Sequence, residues 1–141
     1  MATPQRVHVT HRFRSDPAAV FAALAEHENL GPVLGARITR LRDGDTSRNG
    51  VGSARRVKVG PLPAFVETVT VSEPHTLIEY RITQGSPLRG HWGRQVLTRT
   101  TDGGTMLDYT IGFDAPVPGV AGLIGAVLTR SISRGIGGLV D

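Results

Sequence analysis

The chain closes on one apolar, glycine-studded segment, Pro118 to Val140, and this stretch limits the folds open to everything before it. Val120, Leu123, Ile124, Val127, Leu128, Ile132, Ile136 and Leu139 recur at intervals of three and four, which predicts a long helix with a wide apolar stripe. Such a stripe needs an apolar surface to lie on. The segments between residues 36 and 113 alternate with the period of two expected of half-buried strands, and they supply that surface. A curved antiparallel sheet gripping a terminal helix follows, in the α+β class. A sheet that curves round a helix leaves room for a cavity between them.

At 141 residues the chain is read as one domain, residues 1–141, able to bury roughly 70% of its unfolded surface. Its 18 glycines suit curved strands and close backbone contacts. The net charge of +4 comes almost wholly from arginine, with Lys58 the single lysine. Those arginines are spread over many segments and interleaved with apolar residues, as on the wet faces of strands, so no nucleic-acid partner is expected. The absence of cysteine excludes disulfides, thiolate chemistry and zinc-thiolate sites. Met1 to Arg12 has no apolar signal-peptide core, and Val117 to Leu128 is too short and glycine-rich to span a bilayer. The expectation is a soluble, cytoplasmic protein without stable membrane insertion, of unknown oligomeric state.

Along the chain, Val7, Val9, His11 and Phe13 form the apolar side of a first strand. Ser15 or Asp16 caps a helix that opens on Pro17 and buries Val20, Phe21 and Leu24. A second short helical turn is expected from Glu26 to Leu30, broken by Gly31-Pro32. Ala36 to Arg42 reads as the second strand, but Ile38 and Leu41 differ in parity, so a bulge is needed if both face the core. Further strands are expected at Gly52–Val59, Ala64–Val71, Thr76–Ile82, His91–Thr100 and Thr105–Phe113, making about seven in an antiparallel meander.

The order strand, short helices, six strands, long helix resembles the SRPBCC superfamily, the START-related helix-grip domains of polyketide cyclase, dehydrase and lipid-transport type. The resemblance covers nearly the whole chain. It is carried by Phe13–Leu24 (FRSDPAAVFAAL), Phe65–Tyr80 (FVETVTVSEPHTLIEY) and Gly103–Phe113 (GGTMLDYTIGF) before the final helix. It implies an apolar ligand held between the sheet and the last helix, such as a lipid, polyketide or isoprenoid, and is silent on activity.

Strand parity supplies a candidate cavity wall. Glu67 shares a face with Phe65, Val69 and Val71; Tyr80 with Ile78 and Ile82; Tyr109 with Leu107, Ile111 and Phe113. In the strand from His91, either His91, Gly93, Gln95 and Leu97 or Trp92, Arg94, Val96 and Thr98 faces in, and the resemblance favours the first set. The candidate ligand-binding residues are therefore His11, Phe13, Glu67, Val69, Tyr80, His91, Gln95, Tyr109 and Phe113, with Leu123 and Val127 from the helix. Each has a plainer reading. A histidine on an apolar face is ordinarily a satisfied core residue, and Glu67 could bridge to Arg55 or Arg56.

The histidines lack paired metal-ligand spacing, no serine sits in a nucleophile elbow, and no motif implies a cofactor. Catalytic residues stay unassigned. Two functions compete: binding or transport of a small hydrophobic molecule, or a polyketide cyclase or dehydrase using His11, Glu67, His91 or Tyr109 for proton transfer.

Overall fold

The computed structural model describes residues 3–141; Met1 and Ala2, which open the segment expected to have no signal-peptide core, lie outside the described residues. Seven antiparallel strands run β1 (Gln5–Phe13), β2 (Arg37–Arg42), β3 (Ala54–Lys58), β4 (Phe65–Glu73), β5 (Leu77–Gln84), β6 (Arg89–Arg99) and β7 (Thr105–Asp114). Their spatial order is β1-β7-β6-β5-β4-β3-β2. Only the first strand is out of sequence; it returns to pair with the last, so β1 and β2 form the edges.

Between β1 and β2 lie α1 (Pro17–Ala25), a single 3₁₀ turn (His27–Asn29) and α2 (Leu30–Leu34). Asp16 is the cap: its carboxylate accepts from the Ala19 N–H at 2.9 Å, and Pro17 takes the position where no N–H is needed. Gly31-Pro32 does not end the second turn as expected. Helix α2 runs through it, because Pro32 falls in the first turn, where an amide hydrogen has no partner in the helix, and the helix ends instead at Gly35 with φ of 67°.

Long helix α3 (Val120–Gly135) continues into a 3₁₀ turn (Ile136–Gly138) and packs on β1 and α2. Its buried line is Ala121, Gly125 and Ile132, continued by Ile136, with Leu128 partly buried beside it. A side chain at Gly125 would start 2.8 Å from the Arg6 carbonyl oxygen, and one at Gly135 would start 2.7 Å from that of Pro32. The helix backbone therefore lies unusually close to its supports, and small residues make the contact. The placement of Leu123 and Val127 in the cavity wall is corrected by this packing: they are 66% and 56% exposed, on the opposite side of the helix.

In β2 the register breaks between Arg40 and Arg42, where a bulge was needed, yet Leu41 stays exposed and only Ile38 turns partly inward. The inner faces of β1, β5, β6 and β7 follow the predicted parity, with Val7, Val9, Phe13, Ile78, Tyr80, Leu97, Leu107, Ile111 and Phe113 all in the core. This is the helix-grip architecture.

Candidate functional site

Inside this apolar shell sits a buried polar cluster, built from the middle strands upward. Register places Arg55 of β3 opposite Glu67 of β4. Arg55 Nε donates to Glu67 Oε1 at 2.8 Å, and Nη2 lies 2.7 Å from the same oxygen but off the hydrogen-bond direction. Arg55 is 3% exposed, so the two charges need one another. Its neighbour Arg56 points out to solvent, which settles which arginine makes the bridge.

Tyr80 of β5 pairs across β6 with Gly93, and its ring covers that glycine; any side chain there would fall inside the ring. By lying over Gly93, Tyr80 reaches past β6 and hydrogen-bonds the hydroxyl of Tyr109 on β7. The Arg55 guanidinium stands over the Tyr80 ring, 4.7 Å from its centroid. Gln95 of β6 is opposite Tyr109 and 1% exposed.

His91, next along the same inner face, accepts a hydrogen bond at Nδ1 from the Ile82 N–H at 3.0 Å. The proton of the neutral ring is therefore on Nε2, which faces Glu67 Oε2 at 3.8 Å. Burial lowers the His91 pKa despite the opposing pull of Glu67. His27, from the 3₁₀ turn, closes the far side: its Nε2 lies 2.9 Å from Ser53 Oγ, which in turn donates to the Gly50 carbonyl at 2.6 Å. Its Nδ1 faces Arg55 Nη1 at 3.3 Å. Burial, then the Arg55 charge, push the His27 pKa down to about 4. Both tyrosines move the other way. Burial raises Tyr80 well above the ordinary value, and Tyr109 to about 12.

At neutral pH the cluster thus consists of a charged arginine, two protonated tyrosines, two neutral histidines whose acceptor nitrogens are taken, and one carboxylate engaged by Arg55. It is rich in donors and poor in free bases. Two donors make no well-directed hydrogen bond among the described residues: Gln95 Nε2, which lies against the Tyr109 hydroxyl, and Arg55 Nη2, which lies beside Glu67 Oε1.

Of the sequence candidates, Glu67, Tyr80, His91, Gln95 and Tyr109 come together here. Val69 packs in the same core, opposite Tyr80, and Phe113 stacks on His91 with ring centroids 6.5 Å apart. His11 and Phe13 do not join the hydrogen-bond network; His11 packs edge-on to Phe13 at 4.6 Å and beneath Gly137. Leu123 and Val127 are outside. His27 and Ser53 escaped the sequence reading, since His27 sits among Glu26, Glu28 and Asn29 and looks like part of a solvated turn. A recess of about 230 Å³ opens next to this turn, between Glu28, Asn29, Pro32 and Val33 on one side and Gly135, Gly138 and Leu139 on the other.

A family model described as "Polyketide cyclase / dehydrase and lipid transport" matches residues 4–141. The chain belongs to this family. Solved structures with the same fold include a START superfamily protein from Mycobacterium smegmatis (15% identity over 95% of both chains, TM-score 0.77). A protein from Thermobifida fusca is similar at 15% identity over 94% of this chain and 89% of that one, with a TM-score of 0.73. The Zhui aromatase/cyclase from Streptomyces sp. R1128 is similar at 16% identity over 94% of this chain and 82% of that one, with a TM-score of 0.63. No curated protein matches the sequence. At these identities the structures share the polyketide cyclase and lipid-transport fold with this chain, and the residues of the cluster must speak for its chemistry.

Proposed function

We infer that this protein is a cytoplasmic binder or carrier of a small, mostly apolar molecule bearing a carbonyl or hydroxyl oxygen, held between the sheet and α3. The observation that carries the reading is Gln95 Nε2, buried without a well-directed hydrogen bond against the Tyr80–Tyr109 pair in an otherwise apolar interior. An orphaned donor in such a place costs about 1–3 kcal/mol, and an acceptor oxygen on a ligand removes that cost. An apolar enclosure with a few convergent polar groups is how small-molecule sites fix orientation. The recess by α2 lies one residue along the chain from the cluster, since Glu28 in its wall follows His27, which touches Arg55.

A cyclase or dehydrase of the kind in the family's description is the second reading, favoured by the tyrosine pair. Tyrosines held protonated by burial can donate to a developing enolate or alkoxide oxygen. His91 cannot serve as base without giving up its bond to Ile82, so the proton acceptor would be Glu67.

The test is a matched pair of probes, 2-naphthol and naphthalene, titrated against the full chain, with native mass spectrometry of freshly purified protein to identify a retained molecule. Tighter binding of 2-naphthol, lost in Gln95→Leu, supports the binding site. Equal affinity for both, unchanged by Gln95→Leu, overturns it.

A further inference from the structure

On α3, the side turned away from the buried line carries Leu123, Val127, Arg130 and Arg134, which fall on one stripe at helical spacing. Leu123 and Val127 are exposed, and so is Val117 in the approach to the helix. Nothing in the internal site uses these side chains. The apolar residues occupy the first half of the helix, and the two exposed arginines follow one and two turns later. Between Asp114 and Asp141 the sequence contains no acidic residue at all.

We propose that the outer face of α3 is a docking surface for an anionic lipid bilayer. A helix lying in the plane of a membrane surface needs apolar side chains on its underside and cations at headgroup level, and this stripe provides both. A second copy of the chain is a poor occupant: pairing two such faces would set Arg130 and Arg134 against apolar residues or against each other, with no carboxylate on the helix itself to receive them. Nucleic acid would satisfy the arginines and leave Leu123 and Val127 facing phosphate. Only a lipid headgroup layer offers phosphate and hydrocarbon a few ångströms apart. The surface serves whatever molecule the interior holds, and its test does not depend on that molecule.

The experiment is co-sedimentation of the full chain with vesicles of phosphatidylcholine alone and of phosphatidylcholine with phosphatidylglycerol, at low and high salt. Binding to the anionic vesicles only, weakened by salt, is expected. Arg130→Gln with Arg134→Gln should lower the partition coefficient about thirtyfold at low ionic strength. Leu123→Ser with Val127→Ser should also reduce it, while Arg12→Gln with Arg81→Gln, the same charge change on the solvent face of the sheet, should leave it nearly unchanged. All of these positions are exposed, so circular dichroism should stay the same in every variant. The proposal is overturned by the absence of vesicle binding, by an equal loss in the Arg12/Arg81 control, or by a concentration-dependent dimer that the Leu123/Val127 variant abolishes. Naphthol binding measured on the same variants separates this surface from the internal site.

Discussion

A guanidinium as buried as that of Arg55 is tolerated only because Glu67, His27 and the Tyr80 ring surround it. Glu67→Leu leaves that charge without its partner and should destabilise the protein by about 3–5 kcal/mol in urea unfolding, whereas Glu67→Leu combined with Arg55→Met should recover most of the loss. A double variant no better than the single one would mean that the pair contributes more than mutual neutralisation. His27 adds a pH dependence of definite sign. Its folded pKa of about 4 lies below the ordinary 6.5, so the unfolded chain takes up the proton first and stability falls as pH drops below 6.5. Between pH 7 and pH 5 this group should cost about 2 kcal/mol. His91, also lowered by burial, acts in the same direction. The His27→Gln variant, compared with the parent at both pH values, should show a smaller loss; an identical loss would assign the effect elsewhere. Parity alone located Glu67, Tyr80 and Tyr109, because a strand offers only two faces. It could not locate His27, which reaches Arg55 from a turn 28 residues away in the chain.

Helix α3 shows where periodicity misleads. The three-and-four spacing of its large apolar residues is real, but the stripe is wide enough to wrap past the contact line, and the residues that touch β1 and α2 closely include the small Ala121, Gly125 and Gly135. Counting large side chains therefore put Leu123 and Val127 on the wrong face. Close packing accounts for Gly125 and Gly135, while nothing lies within 4 Å of the side-chain position at Gly119 or Gly122. The two kinds should respond in opposite directions to the same substitution. Gly122→Ala gains helix propensity at no steric cost and should stabilise by about 1 kcal/mol. Gly135→Ala meets the Pro32 carbonyl oxygen at 2.7 Å and the Val33 Cα at 2.8 Å, atoms of the main chain that cannot swing aside, and should destabilise despite the same propensity gain. Thermal unfolding of the two variants decides it, and a stabilising Gly135→Ala would show that α2 gives way. The strand elements, by contrast, were legible almost to their ends, since alternation and turn residues mark both face and boundary.

Across the whole molecule the interior is divided between two kinds of packing. Phe13, Leu107, Ile111, Ile132 and Ile136 contribute apolar volume from β1, β7 and the C-terminal helix, while β3 to β7 bring Arg55, Glu67, Tyr80, His91, Gln95 and Tyr109 into the same enclosure. A core selected only for stability has no use for the second kind, because apolar residues of equal volume serve as well or better. Binding gives it a use, and that makes stability and ligand response separable. In the triple variant Arg55→Met, Glu67→Leu and Gln95→Leu, every charge and the orphaned amide leave together, so the empty protein should unfold at the same urea concentration as the parent or a higher one. The parent should gain about 2.7 kcal/mol in 2-naphthol at a hundred times its dissociation constant, and the variant should gain much less. If the variant is instead less stable than the parent and gains equally from 2-naphthol, the cluster is a structural device and the ligand binds elsewhere. An unchanged baseline with a lost ligand response fits one account alone: the polar groups are there to meet an oxygen that the chain itself does not supply.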